Sequence, residues 1–321
     1  MNRQGAPWWA ELPPAAGGAV MATAIISIGL HLTGHEILSR AWLVIAALLW
    51  VLLAWDFARR LLGNRARWSG EADTPPALTA VAATTVLGTR LSALGLTETA
   101  LALLALAAAI WPGLLFAVVR HWHRRMPGAA FLVCVATQGL AVLAATLSLT
   151  ATGAWLARAA LAALVLGLFL YGEALVRFDV REVYAGAGDQ WIGGGALAIS
   201  ALASAKLTAS PLWTGAAHTA LRTTTLVLLA ANLTACAALL VAEVCRPRPR
   251  YDIRRWSTVF PLGMTAVAAL TASTAAGVHW LRTLGEIILW AAVAAWLLTL
   301  AGFARRRSRS RAEPHPGPGG P

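Results

Sequence analysis

Lysine is almost missing from the chain: Lys206 stands alone against 25 arginines. Charged residues of every kind make up only 12% of the 321, about half the share of a soluble domain, and that excludes an ordinary water-soluble globule. Cysteine is scarce too. Cys134, Cys236 and Cys245 have neither metal-ligand spacing nor an even-numbered framework, so zinc and structural disulfides are excluded and three reduced, buried thiols are expected. No His/Cys/acid cluster, nucleophile elbow or phosphate-binding loop occurs. Neither an enzyme nor a metal or organic cofactor is therefore expected.

What is present is apolar sequence. Hydrophobic residues make up 58% and mean hydropathy is +0.66, the composition of an all-α integral membrane protein. Ten apolar runs, at 15–34, 41–62, 77–95, 98–120, 127–149, 157–178, 193–210, 222–245, 256–276 and 281–303, are each read as a transmembrane helix. Residues 1–14, with Arg3 and the Trp8-Trp9 pair, lack the apolar core of a signal peptide and read as a cytoplasmic segment. Residues 15–304 form the membrane domain. The basic, then Pro/Gly-rich stretch 305–321 reads as a disordered cytoplasmic tail.

The net charge of +12 would ordinarily raise nucleic acid as a partner. Here the arginines cluster at the ends of apolar runs without interleaved aromatics, so they read as topology signals and nucleic acid is excluded. Twenty of the 25 fall on the side of Arg3, Arg59 and Arg305, against Arg40, Arg158, Arg222 and Arg282 opposite. That bias puts both termini in the cytoplasm and requires an even number of spans. The arginine and alanine usage suggests a GC-rich bacterial genome, and hence the cell inner membrane.

The runs alternate in character. Thirteen of the 18 residues in 193–210 are Ala, Gly, Ser or Thr, against 5 of 22 in 41–62, which is rich in Leu, Val, Trp and Phe. Small residues let helix backbones approach closely, and large apolar ones suit lipid. Five parallel hairpins follow, each a thin inner helix and a thick outer one, with the inner five around a central pore.

One inner run carries Phe260-Pro261-Leu262-Gly263. Proline removes a backbone donor, so the helix is expected to bend beside Phe260. Phe260, with Gly263 and Met264 beyond it, reads either as a plug in a narrow channel or as ordinary core beside a kink. Three basic residues on inner helices, Arg90, Lys206 and His31, either serve an anion pathway or snorkel to the headgroups. Thr137 and Gln138 either line that path or bond between helices. Asp56, Glu173 and Glu243 lie near the cytoplasmic ends of outer helices, where ion pairs with Arg59 or Arg60, Arg177 and Arg246 compete with proton coupling by Glu173 or Asp56. Trp191 and the glycines at 193–195 read as an interfacial anchor and a loosely wound helix start.

Four stretches, LPPAAGGAVMATAIIS at Leu12–Ser27, VATQGLAVLAA at Val135–Ala145, QWIGGGALAISALA at Gln190–Ala203 and YDIRRWSTVFPLGM at Tyr251–Met264, resemble the tellurite-resistance and C4-dicarboxylate transporter family, which includes the plant guard-cell slow anion channels. They fall in four of the five hairpins and keep their order. The resemblance implies ten helices as five hairpins, a pore lined by the odd helices, a homotrimer in the lipid bilayer, and occlusion of the pore by Phe260. It implies transport of a small anion: a C4-dicarboxylate such as malate, or an inorganic anion such as tellurite, sulfite, nitrate or chloride. A proton-coupled exporter is the alternative within transport, and a membrane scaffold or sensor is the alternative outside it.

Overall fold

The computed structural model describes residues 16–63, 72–150, 153–247 and 252–312. Trp8 and Trp9, the Pro/Gly-rich end of the tail and several loop arginines lie outside that set. Ten long helices follow one another among the described residues: α1 (Gly17–Leu32), α2 (Glu36–Gly63), α3 (Thr79–Ala93), α4 (Thr97–Val119), α5 (Leu132–Thr150), α6 (Ala154–Arg177), α7 (Trp191–Thr208), α8 (Gly215–Cys245), α9 (Trp256–Ala275) and α10 (Trp280–Ala312). Short 3-10 turns lead into α3, α5 and α9. Seven helices are long and apolar enough to cross a membrane, namely the five even ones together with α5 and α9.

Alternating composition sorts the helices into two layers. In the most apolar stretch of each even helix only 17 to 28% of residues are buried, whereas α5 is wholly buried there and α9 72% buried. Even helices turn Leu48, Trp55, Phe116, Phe169 and Leu298 outward. The odd helices pack in a closed ring in the order α1, α3, α5, α7, α9 and back to α1. They run in one direction: Gly17 and Gly18 at the start of α1 abut Thr79 at the start of α3 and Trp256 at the start of α9. We call that end of the ring proximal and the opposite end distal.

Small residues set how close the ring draws. A Cβ on Gly263 would lie 2.7 Å from Ile25 Cγ2 on α1, and one on Gly195 would lie 2.9 Å from Pro261 Cγ. The glycines of 193–195 thus serve packing, and α7 is regular from Trp191, which is buried. No loose helix start or interfacial Trp191 anchor is present. Nor does Pro261 break its helix: α9 continues from Trp256 to Ala275.

At the distal end α1, α3 and α9 stop in the same way. Gly34, Gly95 and Gly277 take positive φ of 84°, 81° and 69°, and the amide after each donates to the carbonyl five residues back: His35 to Leu30, Leu96 to Leu91, Val278 to Ser273. This is the glycine-terminated helix end, repeated three times and each time followed by a return helix.

Outer helices are tied to the ring by a second repeat. Trp50 of α2 donates to Thr84 of α3, Trp111 of α4 to Thr137 of α5, Asn232 of α8 to Thr265 of α9, and Trp296 of α10 to Thr23 of α1, at 2.9 to 3.0 Å. Each threonine hydroxyl also donates to the carbonyl four residues back, so both of its hydrogen-bonding capacities are engaged in an apolar setting.

Three sequence expectations are corrected here. The last helix continues to Ala312, into the segment read as disordered, because arginine propagates a helix nearly as well as alanine. Helices α2 and α8 begin at Glu36 and Gly215, ahead of the apolar runs, because polar first turns extend them toward the distal loops. Of the three free thiols Cys134 is buried, Cys236 half-buried and Cys245 exposed at the end of α8.

Candidate functional site at the ring axis

Ile25, Ile28, Thr85, Val86, Thr89, Gly139, Val142, Ile199, Leu202 and Met264 converge on the axis, with every odd helix represented. They surround a cavity of about 10 Å³, room for at most about one water. Around it the axis is filled by residues from all five helices.

Phe260 lies one helical turn from Met264 toward the proximal end, on the same face of α9, and is buried at 2% exposure. Its neighbours Pro261 and Gly263 are points of close approach of α9 to α7 and α1. The residue that reaches the axial cavity itself is Met264.

One turn beyond the cavity, toward the distal end, polar residues follow on four of the five ring helices. His31 follows Ile28 by three residues, Arg90 follows Val86 by four, Thr146 follows Val142 by four, and Lys206 follows Leu202 by four; these spacings keep one face. Lys206 is half-buried and makes no hydrogen bond or ion pair among the described residues.

Arg90 and His31 are differently engaged. Arg90 is fully buried; its Nε donates to Ser39 Oγ at 3.0 Å and one terminal nitrogen to Glu36 Oε1 at 2.9 Å. His31 Nδ1 lies 2.7 Å from Glu36 Oε2, and Arg40 Nε donates to Glu36 Oε1 at 3.0 Å. Three basic side chains therefore share one carboxylate. Ser39 is held in turn by a reciprocal pair of bonds with Ser27.

Thr137 and Gln138 both turn away from the axis. Thr137 accepts from Trp111 of α4, and Gln138 Nε2 donates to the Leu164 carbonyl of α6 at 3.1 Å, where Gly167 makes room for it. Gly139, the next residue, is the one at the axis.

The three acidic residues Asp56, Glu173 and Glu243 sit proximally, each paired with an arginine. Asp56 meets Arg60 at 2.5 Å with both buried, Glu173 meets Arg177 one turn on, and Arg255, at the end of the 3-10 turn that leads into α9, donates to Glu243 of α8 at 2.7 Å. The last pairing joins α8 to the entry of α9, where the sequence suggested Arg246. Asp56 and Arg60 also line an off-axis cavity of about 320 Å³ among α1, α2, α3 and α4, walled by Val20, Trp50, Leu53 and Leu106. Before α7, outside the spans, burial with Asp189 and Asp179 nearby pushes the Glu182 carboxyl up. Hydrogen bonds from Arg254 hold Asp252 below the usual carboxylate range. Among the described residues no group of three His, Cys, Asp or Glu is arranged to hold a metal.

Glu36, Ser39 and Arg40 were not singled out from sequence. A local signal existed: Glu36 stands five residues after His31 and four before Arg40, on one helical face with the latter. Its partner Arg90, 54 positions away, had none.

Curated relatives match only in part. An uncharacterized membrane protein of Mycobacterium tuberculosis, strain CDC 1551 / Oshkosh, and its counterpart in strain ATCC 25618 / H37Rv are each 39% identical over 54 residues, 17% of this chain. The match spans about a quarter, 27%, of those relatives' length. Far broader is the match to the family model described as SLAC1, voltage-dependent anion channel, which covers residues 11–304. With that span matched across all ten helices, the chain belongs to the SLAC1 family of membrane anion channels.

Proposed function

We propose that this protein conducts small anions along the axis of its five-helix ring, and that the described state is the closed one. The observation that carries the reading is the closed ring of odd helices, whose axial faces pass from an apolar constriction to a cationic rim containing Lys206, which has no partner among the described residues. All ten helices then cross the bilayer as five hairpins. At about 1.5 Å per residue α1, α3 and α7 reach only about 22 to 27 Å, short of a hydrocarbon core of about 30 Å. Their place inside the ring, shielded from lipid, supports so short a span. The arginine bias assigns the proximal end and both termini to the cytoplasm, in the cell inner membrane, and makes the distal rim the outer vestibule.

Phe260 is the proposed gate. Its ring stands below Met264 on the axial face of α9, where Pro261 and Gly263 permit close packing against α7 and α1. Movement of α9 would carry Phe260 and Met264 together. Candidate substrates are malate and similar C4-dicarboxylates, or tellurite, sulfite, nitrate and chloride; the proposed assembly is a homotrimer. Asp56 and Glu173 each hold an arginine, which favours a passive channel over a proton-coupled exporter. The cationic rim argues against a non-transporting scaffold or sensor.

Liposome flux over a panel of chloride, nitrate, sulfite, malate and tellurite tests the reading, with Phe260→Ala beside the parent. Faster flux in the variant is expected. No anion flux in either protein would sink the channel reading, and equal flux in both would remove Phe260 as the gate.

A further inference from the structure

We infer that Glu36 sets the anion valence that the distal rim accepts, by acting as a tethered counter-anion; this rests on the axial-pathway reading for its transport consequence. Both carboxylate oxygens are engaged. Oε1 accepts from Arg90 at 2.9 Å and Arg40 at 3.0 Å, and Oε2 meets His31 at 2.7 Å. Two guanidiniums and an imidazole around one carboxylate is an arrangement that a free carboxylate or oxyanion would seek. Here the protein's own side chain fills it.

Geometry makes the site reachable. The Glu36 and His31 side chains are about one-third exposed, at 34% and 35%, while Arg90 behind them is fully buried. Arg90 keeps a buried terminal nitrogen without a partner among the described residues, so its donors are not exhausted by Glu36 and Ser39. His31 and Arg90 stand one turn beyond the axial constriction, at the level where Lys206 stands on α7. Among the described residues Glu36 is the acidic group bonded into this cluster.

The consequence follows from electrostatics. A fixed charge enriches an ion by a factor exponential in the product of ion valence and local potential, so each added positive charge favours a dianion over a monoanion. By cancelling one guanidinium, Glu36 holds the rim potential low and biases the pathway toward monoanions. With the carboxylate neutralised, the cluster has two unneutralised guanidiniums, whose added charge favours sulfate or a dicarboxylate at the rim.

Two measurements on the full-length protein test this. The first is the shift in thermal unfolding of the detergent-solubilised protein when sulfate replaces chloride at constant ionic strength. Glu36→Gln is expected to gain a sulfate-specific stabilisation that the parent and Glu36→Asp lack. The second is the sulfate-to-chloride permeability ratio from reversal potentials in planar bilayers, expected to rise about threefold in Glu36→Gln and to stay at the parent value in Glu36→Asp. Arg40→Gln, at a largely exposed side chain, should lower the ratio and serves if Glu36→Gln does not fold. Unchanged sulfate stabilisation together with an unchanged ratio in Glu36→Gln, or an unchanged ratio in Arg40→Gln, overturns the inference. Sulfate stabilisation of Glu36→Gln in a protein that passes no anion supports the Glu36 assignment and overturns the transport reading.

Discussion

Trp296 Nε1 on α10 donates to Thr23 Oγ1 on α1 at 3.0 Å, across 273 positions of sequence. This bond joins the last helix to the first and closes the outer layer over the ring, as Trp50–Thr84, Trp111–Thr137 and Asn232–Thr265 do elsewhere. Rings of Trp42 and Trp256 flank it, with centroids 5.3 and 6.1 Å from Trp296, so the indole is held in one orientation. Trp296→Phe keeps most of that packing and removes only the donor. A loss of about 0.6 to 1.5 kcal/mol is expected, read by unfolding in mixed micelles. Adding Thr23→Val to Trp296→Phe should cost less than Thr23→Val costs alone, since the Trp296 bond is then already gone and only the bond from Thr23 to the Ala19 carbonyl is lost in addition. Strict additivity of the two would refute the bond's role.

Close approach of α9 to α1 makes a second prediction. A methyl group on Gly263 meets Ile25 at 2.7 Å, so Gly263→Ala forces the helices apart or pushes Ile25 off its rotamer, at about 1 to 3 kcal/mol. Ile25→Ala in the same chain should recover part of that, because the clashing methyl is then gone. A Gly263→Ala protein as stable as the parent would mean that the contact is slack.

How far these relationships could be read in the sequence differs from helix to helix. The contrast between the small-residue run at 193–210 and the bulky run at 41–62 is the burial contrast between inner and outer helices, because residue size decides whether backbones or lipid come near. Helix rotation is not written in composition. Thr137, Gln138 and Gly139 are consecutive, about 100° apart on α5, and only Gly139 meets the axis; a polar group on an inner helix has an outer helix to serve as well as a pathway. Phe260 and Met264 share a face by spacing alone, yet which of the two reaches the axial cavity depends on the depth at which the five helices meet. Glu36 lies in the polar first turn of α2, ahead of the apolar run, where apolar periodicity carries no information, and its partner Arg90 is found only once α2 folds back along α1 and α3.

The loop before α7 gives a pH prediction. Burial, with Asp189 and Asp179 nearby and Arg254 opposing, raises the Glu182 carboxyl. A raised acid favours the protonated folded state, so the ionised form costs stability at neutral pH. That cost disappears as pH falls through the raised value toward the ordinary glutamate range near about 4.3. Glu182→Gln should therefore unfold about 1 to 2 °C higher than the parent at pH 7, a small gain because the side chain is partly solvated. The difference should vanish near pH 4. A variant that is less stable at pH 7 would show that Glu182 is instead favourably paired.

Arg90 and Lys206 are both inner-helix cations near the distal end, and the structure predicts different consequences of losing them. Arg90 is fully buried and bonded to Ser39 and Glu36. Arg90→Gln strands those groups and should lower folding yield and thermal stability first, with any change in ion preference secondary. Lys206 has no such partners among the described residues, so burying its ammonium brings desolvation cost without a compensating bond. Lys206→Gln should therefore leave stability unchanged or slightly raised. If the axial reading holds, the variant also lowers anion-over-cation permeability by about threefold, the effect of removing one unit charge at a partly screened rim. Thermal unfolding and reversal potentials measured on both variants separate the two roles: a Lys206→Gln protein with lost stability and unaltered reversal potential would make Lys206 a structural residue and remove it from the anion pathway.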